Sequence, residues 1–378
     1  MKKVVIIGAG FAGLSSLSML LSHCKYLDLS ITLINDKDFS SFLPVLPDCI
    51  GRGIKPENLV YDLRPLSGRS NINFVKDRVL AVNLTNQQIR TTVSELSYDF
   101  LIIASGSETN FYGNTQIKEH AFKLDDADDA NLIIKALNNK SYENYLIAGG
   151  GYSGVEAATN LSRYFKKRGL NKRIIIVERA PSVLGPLPSW MKEYVLANLK
   201  RLGVDILTNS GVDSINDNRV VLSGGKIFDN SMLIWAAGVR AADFIQNLNV
   251  KKNPQGRIIV DDYLRVNDNC FAAGDTAYFN YKNNFLRMAI QFAIKQGACA
   301  GLNIVKKIEG GELIKYKPVD LGYIIPMANN RSCGVILGIN MKGFFPTVMH
   351  YFMCIYRSRN FKSRIGILGD LINSCLKR

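Results

Sequence analysis

The sequence predicts an α/β fold in which one β-α-β plan occurs twice. A short apolar run, residues 4–7, leads into a glycine-rich loop and then a helix-like segment, and the same arrangement returns after residues 145–148. The chain has 378 residues, of which 47% are hydrophobic, enough to fill two or three domain cores. We therefore expect two Rossmann-like domains followed by a further C-terminal segment.

The first β-α-β unit begins close to the start of the chain. Residues 4–7 predict a buried parallel strand, residues 11–23 its crossover helix, and residues 30–34 the second strand. Its loop has the pattern G-x-G-x-x-G, formed by Gly8, Ala9, Gly10, Phe11, Ala12 and Gly13. In this pattern the glycines permit a tight turn, close approach of a pyrophosphate, and close packing of helix on strand.

The second unit repeats this plan with residues 145–148, 155–167 and 173–177. Its loop consists of Gly149, Gly150, Gly151, Tyr152, Ser153 and Gly154. Two further apolar strands end in small-residue turns, Ala104-Ser105-Gly106 and Ala236-Ala237-Gly238. Because two loops in the same context are hard to obtain by accident, the sequence predicts two bound dinucleotides.

The return of strand-and-turn character around residues 256–261 and 270–275 predicts that the second domain is inserted in the first. We expect residues 1–112 and 250–315 to form the first domain and residues 113–249 the second. Residues 316–378 form a separate C-terminal domain in this prediction.

The formal net charge of +15 indicates anionic partners, which could be nucleic acid, acidic lipid or phosphate-bearing cofactors. The chain has no zinc-ligand spacing, RNA-binding aromatic motif or basic low-complexity arm, so we expect no nucleic-acid partner. Its three histidines are far apart in sequence, and we expect no metal site. The seven cysteines are scattered and odd in number, which favours a reducing, cytoplasmic compartment.

The C-terminal segment from residue 341 interleaves basic residues with large apolar ones. Its cations are Lys342, Arg357, Arg359, Lys362, Arg364, Lys377 and Arg378, against the single acid Asp370. Such helix-length segments suit the membrane interface and attract anionic lipid, although a helix packed on its own core remains the alternative. No apolar stretch reaches the length of a spanning helix, so we expect a peripheral protein on the cytoplasmic side of the cell membrane.

At this point the chain resembles the two-dinucleotide flavoprotein reductases and, among them, the type II NADH:quinone oxidoreductases. Both glycine loops, the two small-residue turns, Ala273-Gly274-Asp275, the helix at residues 290–297 and the basic tail carry the resemblance. It implies bound FAD and NADH, a membrane quinone as electron acceptor, and no ion pumping. Whether the chain forms a homodimer stays open.

The resemblance assigns FAD to the first loop. Residues implied to bind FAD are Gly8, Gly10, Phe11, Ala12, Gly13, Asn35, Asp36, Pro44, Ala104, Ser105, Gly106, Gly274 and Asp275. A short acid such as Asp275 on a tight turn is suited to accept hydrogens from ribityl hydroxyls, the alternative being a simple turn cap. The ribose acid expected after the second strand is here Asn35, with Asp36 next.

The second loop is assigned to NADH, with Gly149, Gly151, Tyr152, Ser153, Gly154, Glu178, Ala237 and Gly238 as its implied contacts. A carboxylate at Glu178 accepts from both ribose hydroxyls and repels a 2′-phosphate, which favours NADH over NADPH. Arg179, its neighbour, could instead attract that phosphate.

The resemblance implies three catalytic residues, Glu156, Gln291 and Lys295. Glu156 is implied to lie near the nicotinamide and flavin, or is otherwise a first-turn acid that interacts with its helix dipole. Gln291 matches the first glutamine of the family pattern A-Q-x-A-x-Q, and Lys295 replaces the second. Gln296 lies about 100° further around the helix and is no geometric substitute.

Two other electron routes remain as alternatives. A soluble NAD(P)H reductase of a rubredoxin- or ferredoxin-like carrier would also use a basic docking surface. A sulfide:quinone oxidoreductase-like enzyme needs cysteines at the flavin and no nicotinamide, whereas residues 113–249 lack cysteine and keep an intact glycine loop. A scaffold or nucleic-acid-binding protein that senses redox state is the third alternative.

Overall fold

The computed structural model describes residues 1–24, 26–68, 71–281 and 284–376. Lys377 and Arg378, two of the predicted tail cations, lie outside the described residues. The helices are α1 Phe11–His23, α2 Asp48–Gly51, α3 Thr115–His120, α4 Ala127–Asn139, α5 Tyr152–Lys167, α6 Ser189–Arg201, α7 Asp243–Gln246, α8 Ile290–Ile308, α9 Phe344–Arg357 and α10 Phe361–Leu376. Short 3-10 turns occupy Leu43–Val45, Pro56–Leu59, Arg64–Gly68 and Gly274–Thr276.

The strands of the first third of the chain are β1 Lys2–Ile7, β2 Leu29–Asn35, β3 Phe39–Ser41, β4 Val60–Asp62, β5 Ile72–Lys76, β6 Val79–Asn83, β7 Gln88–Thr91, β8 Glu95–Ser97, β9 Phe100–Ile103 and β10 Glu108–Thr109. The strands that follow are β11 Asn144–Ala148, β12 Arg173–Val177, β13 Val204–Leu207, β14 Val212–Asn216, β15 Arg219–Leu222, β16 Ile227–Phe228, β17 Ser231–Trp235 and β18 Val239–Arg240. The remaining strands are β19 Ile258–Ile259, β20 Arg265–Asn267, β21 Cys270–Ala272, β22 Ala277–Tyr278, β23 Asn280–Tyr281, β24 Asn284–Phe285, β25 Gly322–Ile325, β26 Ser332–Ile336 and β27 Ile339–Gly343.

The chain folds into two compact units, of which the first contains Met1–Ser40, Asp62–Glu108 and Val239–Asp320. Its sheet has the strand order β20-β21-β9-β1-β2-β5, and β1 pairs in parallel with both β2 and β9. The apolar run of β1 is buried because helices cover a parallel sheet. The carboxyl ends of β1, β9 and β21 therefore meet at one edge.

The second unit contains Ser41–Tyr61, Thr109–Gly238 and Leu321–Arg378. Its parallel sheet has the order β13-β12-β11-β17, with β11 in the position that β1 takes in the first unit. A β25-β26-β27 hairpin sheet and helices α9 and α10 complete the unit. Across the described parts of the chain, no helix combines the length and apolar character needed to span a bilayer.

The predicted α/β fold with two Rossmann-like halves is confirmed, and residues 109–238 of the second unit interrupt the first. The compact division assigns the tail to the second unit rather than to a body of its own. The functional domain boundaries at residues 112, 249 and 315 remain a prediction.

Candidate functional site

The first glycine loop joins β1 to α1 in the first unit. Gly8 has φ +98°, and a Cβ built there would lie 2.3 Å from the carbonyl oxygen of Ala104. A Cβ on Gly13 would lie 1.8 Å from the oxygen of Gly8. Around Gly10, by contrast, a built Cβ meets no atom within 4 Å. Close packing therefore requires glycine at positions 8 and 13. Gly10, by contrast, leaves open space beside the start of α1.

Asn35 closes β2 and holds this loop. Its Oδ1 accepts the N–H of Ala9 at 2.9 Å, and its Nδ2 donates to the carbonyls of Lys37 at 2.8 Å and Phe39 at 3.4 Å. Both kinds of amide atom are therefore used to shape the main chain. Asp36, the neighbouring candidate for the ribose, is exposed.

The small-residue turns of the first unit meet at the sheet edge. Ser105 Oγ lies 3.1 Å from Thr276 Oγ1, which donates to the carbonyl of Gly106. Gly274 has φ +77°, and its built Cβ would lie 3.0 Å from Ala12 Cβ. The structure thus brings together Ala12, Ala104–Gly106 and the Gly274–Asp275 turn, and their assignment to FAD binding remains a prediction.

Asp275 accepts from Ser107 Oγ at 3.2 Å. Burial raises the pKa of its carboxyl, while Arg257 opposes that rise. Two residues that the sequence interpretation missed fix its turn. Gln296 is buried and accepts the N–H of Gly274 at 2.8 Å, and Arg257 donates to the carbonyls of Asp275 and Ala277.

Gln291 and Lys295 lie one turn apart on α8, which begins at Ile290. Gln291 is half-buried and donates to Asp320 Oδ1 at 3.0 Å, beside the Arg287–Asp320 ion pair. Lys295 is exposed. Their catalytic assignment remains a prediction.

The second glycine loop, between β11 and α5, has the same close contacts as the first at each equivalent glycine. Gly149 has φ +103°, with a built Cβ 2.4 Å from the oxygen of Ala236, and a Cβ on Gly154 would lie 1.9 Å from the oxygen of Gly149. Gly151 again faces open space. Neither α1 nor α5 has a side-chain cap at its N-terminus. Open space at a bare helix N-terminus fits the pyrophosphate of a dinucleotide in both units.

Glu178 ends β12 as Asn35 ends β2. Its Oε2 accepts the N–H of Gly150 at 2.6 Å, and its Oε1 accepts the N–H of Ala180 at 2.8 Å. Arg179 is exposed, and its Nε would lie 2.7 Å from a Cβ built on Gly211. Glu178 therefore points toward the second glycine loop, whereas Arg179 lies beside Gly211.

The remaining predicted nucleotide contacts are spread around this loop and beyond it. Tyr152 begins α5 and contacts Tyr323 edge-on at 6.1 Å between ring centroids, and Ser153 is exposed. Ala237 accepts from the hydroxyl of Tyr112 at 2.8 Å, and a Cβ on Gly238 would lie 2.5 Å from that hydroxyl. Pro44 lies in the 3-10 turn Leu43–Val45 of the second unit.

Glu156, one turn into α5, borders a buried polar cluster that the sequence interpretation missed. Asp48 is its centre: Tyr351 Oη donates to Asp48 Oδ1 at 3.0 Å, Asn160 Nδ2 donates at 3.3 Å, and Arg52 Nε lies 3.2 Å away. These four side chains are each less than 9% exposed. The only available sequence signal was the acid–arginine pair at positions i and i+4 in an apolar segment.

The carboxyl groups of Asp48 and Glu156 have different surroundings, which change their pKa values in different ways. Burial raises the pKa of Asp48, but Arg52, Tyr351 and Asn160 oppose that rise. Glu156 is half-buried, and burial raises the pKa of its carboxyl well above the ordinary range, with the negative charge of Asp48 as a second cause. Neighbouring acids with such unlike environments are typical of sites that move protons.

Comparison with known proteins agrees with this geometry. A type II NADH:quinone oxidoreductase of Staphylococcus saprophyticus is 24% identical over 369 residues, which cover 90% of this chain and 91% of that protein. The Staphylococcus aureus proteins of the same name match at 24% with the same coverage. The resemblance that the motifs indicated is confirmed.

Solved structures share the fold. NDH2 from Plasmodium falciparum in complex with NADH superposes with a TM-score of 0.85 at 19% identity, covering 99% of this chain and 98% of that one. The sulfide:quinone oxidoreductase of Aquifex aeolicus gives a TM-score of 0.77 at 19% identity, covering 97% of this chain and 92% of that one.

The model of the pyridine nucleotide-disulphide oxidoreductase family matches residues 2–297. The duplicated loops and this match together establish that the chain belongs to the pyridine nucleotide-disulphide oxidoreductase family.

Proposed function

We propose that this chain is a peripheral membrane flavoenzyme that oxidises NADH through FAD and passes the electrons to a membrane quinone without pumping ions. The observation that carries the proposal is the pair of open glycine loops, each at a bare helix N-terminus. Relatives named for this reaction match over 90% of the chain. Bound FAD supplies the hydride acceptor that separates NADH oxidation from quinone reduction.

In this proposal the first loop holds the FAD pyrophosphate in the space beside Gly10, and the N-terminus of α1 stabilises its charge. Asp275 accepts from the ribityl hydroxyls. Gln296 and Arg257 act through Asp275 by fixing its turn. Because hydride transfer needs no protein acid or base, these residues contribute binding and orientation.

The second loop holds NADH in the same way, in the space beside Gly151. Glu178 already uses one lone pair of each oxygen on main-chain N–H groups, and the other lone pairs can accept from the two ribose hydroxyls. Its charge repels a 2′-phosphate, which favours NADH over NADPH. Quinone reduction needs protons as well as electrons, and we assign Glu156, Gln291 and Lys295 to that half-reaction.

The test separates the two half-reactions. Under anaerobic conditions the purified protein should carry the flavin absorbance, NADH should bleach it, and a soluble quinone should restore it. Restoration by no quinone would refute the acceptor assignment. Restoration by a rubredoxin- or ferredoxin-like carrier instead would favour the carrier reductase. In proteoliposomes, turnover without a pH change across the membrane is expected.

We further propose that helices α9 and α10 hold the protein on anionic lipid at the cytoplasmic face of the cell membrane. Large apolar side chains on these helices are exposed, and exposed cations lie among them. The apolar set consists of Phe344, Phe345, Val348, Phe352, Tyr356, Phe361, Ile365, Leu368, Ile372 and Leu376. All seven cysteines are unpaired, which supports a reducing compartment.

Deleting the tail would not test this cleanly, because α9 and α10 pack on the second unit. Substitution of the exposed side chains is sharper. The triple variant Phe352→Glu, Phe361→Glu and Ile365→Glu should abolish sedimentation with anionic vesicles. The matched control, Val93→Glu with Leu132→Glu, changes exposed apolar residues elsewhere and should sediment like wild type. Equal binding by both variants would refute the lipid assignment.

A further inference from the structure

The hairpin formed by β26 and β27 ends in an exposed apolar turn. Ile336 pairs with Ile339 across the hairpin, and Leu337 and Gly338 connect the two strands. Strand β26 is buried at Ser332 and only half-buried at Ile336. At the turn itself, Leu337 is 71% exposed and Ile339 is 59% exposed. The hairpin therefore emerges from the core of the second unit and presents apolar side chains at its tip.

The main-chain conformation of this turn does not favour leucine. Leu337 has φ +49° and Gly338 has φ +82°, as in the type I′ turn that asparagine and glycine prefer. A bulky side chain is unfavourable in this left-handed region. The N–H of Leu337 donates to the carbonyl of Leu321 at 3.2 Å, so the turn is fixed. Leucine is thus unfavourable here for the main chain and for the side chain in water, which indicates an apolar environment for the turn when the protein functions.

The hairpin carries no charge between its base and its tip. Residues 332–341 contain no acidic or basic residue, and a cation flanks this stretch on each side, Arg331 before it and Lys342 after it. Because Cys333 pairs with Lys342, both cations lie at the base of the hairpin. An apolar tip with cations only at its base has the charge distribution expected for contact with an anionic lipid surface.

Aromatic side chains lie at the same level as Lys342. Its Nζ is 5.2 Å from the centre of the Trp190 ring and 5.5 Å from that of Tyr194. Lysine, tryptophan and tyrosine together are typical of the headgroup level of a membrane. Leu337 lies four residues beyond Cys333, or about 13 Å at the rise of a β-strand. The tip could therefore reach the acyl chains while Lys342 stays among the headgroups.

Helix α9 connects the hairpin with the surface that we have assigned to lipid. Thr347 Oγ1 lies 2.6 Å from Ser332 Oγ, so α9 packs on one face of the hairpin base. Alternate residues of a strand share a face, so Ile336 projects from this same face nearer the tip. The exposed Phe344 and Phe345 begin α9 directly after β27. The turn thus continues the apolar surface of α9.

We propose that the hairpin turn, residues 336–339, inserts between the acyl chains of the bilayer, with Arg331 and Lys342 at the level of the anionic headgroups. This rests on the proposed lipid contact of α9 and α10 and adds a third element to it. Strand β27 lies at the edge of its sheet, and outward main-chain groups of an edge strand need water. Insertion is therefore limited to the turn, and the polar side chain of Asn340 marks its boundary.

One substitution separates stability from lipid binding. Asparagine suits the left-handed turn, so Leu337→Asn should unfold at an equal or higher urea concentration than wild type. Its affinity for anionic vesicles should nevertheless fall by about 10-fold, because an inserted leucine side chain is lost. The matched control, Leu132→Asn, changes an exposed leucine on α4 of the same unit and should bind like wild type. Unchanged vesicle affinity of Leu337→Asn would overturn the proposal.

A second experiment measures insertion directly. Leu337→Trp adds a tryptophan to the two native ones, Trp190 and Trp235. Lipid brominated near the top of its acyl chains should quench the fluorescence of this variant more than that of wild type, whereas Leu132→Trp should add no quenching. Vesicle-bound Leu337→Trp without added quenching would overturn the insertion and leave the lipid contact of α9 and α10 intact. If the wild type binds no vesicle, that lipid contact fails, and the insertion fails with it.

The cations at the base are tested through the dependence of binding on charge. Arg331→Gln should weaken binding to anionic vesicles a few-fold, leave binding to neutral vesicles unchanged, and lose its effect at high salt. A loss that salt does not alter would overturn the headgroup placement of Arg331.

The other apolar partner available to the turn is a second copy of this chain. Sedimentation equilibrium of the holoenzyme without lipid should give the same mass for wild type and Leu337→Asn. A wild-type dimer that becomes a monomer in Leu337→Asn would show that the turn joins two copies, and the proposal would be overturned.

Discussion

The two glycine loops have the same main-chain form and differ in the side chain that closes the second strand. In the first unit Asn35 accepts the N–H of Ala9, and in the second Glu178 accepts the N–H of Gly150. The main-chain contact is therefore conserved between the halves while the charge is not. The amide of Asn35 adds no charge at the end of its strand, whereas the carboxylate of Glu178 adds a negative charge that would repel a 2′-phosphate.

The largest effect should come from the glycines that touch backbone. Gly8→Ala adds a Cβ 2.3 Å from a carbonyl oxygen at a positive φ, and we expect a loss of about 2–4 kcal/mol in the free energy of unfolding and loss of FAD. Gly149→Ala should retain FAD and lose bleaching by NADH. The ratio of flavin absorbance to protein after gel filtration measures FAD retention in Gly8→Ala. Stopped-flow absorbance measures flavin bleaching by NADH in Gly149→Ala.

Gly10→Ala and Gly151→Ala are the controls, since their Cβ atoms enter open space. Both should keep wild-type stability and weaken only the nucleotide of their own loop. If Gly151→Ala reduced FAD retention instead, the assignment of the two loops would be reversed.

The next effect concerns Glu178. In Glu178→Gln the carboxylate charge is lost and an amide N–H must face a main-chain donor, so kcat/KM for NADH should fall by about 10–100-fold. The preference for NADH over NADPH should narrow, because the 2′-phosphate is no longer repelled. Steady-state kinetics with both nucleotides measure this. Unchanged selectivity would show that Glu178 serves the loop alone.

Asn35→Asp is the reciprocal change. It keeps the acceptor for Ala9 but removes the donors to the carbonyls of Lys37 and Phe39, which should cost about 1–2 kcal/mol of unfolding free energy. FAD should remain bound. Urea unfolding measures the loss, and Asp36→Asn at the exposed neighbour should be neutral. Equal stability of Asn35→Asp and wild type would contradict the contribution of the amide donors.

The smallest effect is expected from Arg179→Ala. Its guanidinium is exposed and leans toward Gly211, so an exposed charge interaction with a 2′-phosphate is worth less than about 1 kcal/mol. The kcat/KM for NADPH should fall a few-fold at most, and that for NADH should not change. A large loss with NADH would make Arg179 part of the binding site.

The features that could be predicted from the sequence are those formed by residues close together in the chain. The loops follow from glycine spacing beside apolar strands, and the helix bounds Phe11–His23 were predicted to the residue. It missed Gln296 because its helix position does not reveal that its side chain reaches back to Gly274. It missed Asp48, Asn160 and Tyr351 because hydrogen bonds across 112 and 303 positions leave no periodic signal.

Helix α10 carries a polar face into the second unit, where Arg163 donates to Ser374 and Asp370 accepts from Lys55 and Asn58. These partners are synthesised hundreds of positions earlier than α10. A ribosome must therefore translate the C-terminal helices before Arg163 and the Lys55–Asn58 turn are satisfied. Until α10 has been translated, these side chains lack the partners that α10 gives them in the folded second unit, so the packing of this unit can be completed only after α10 has been made.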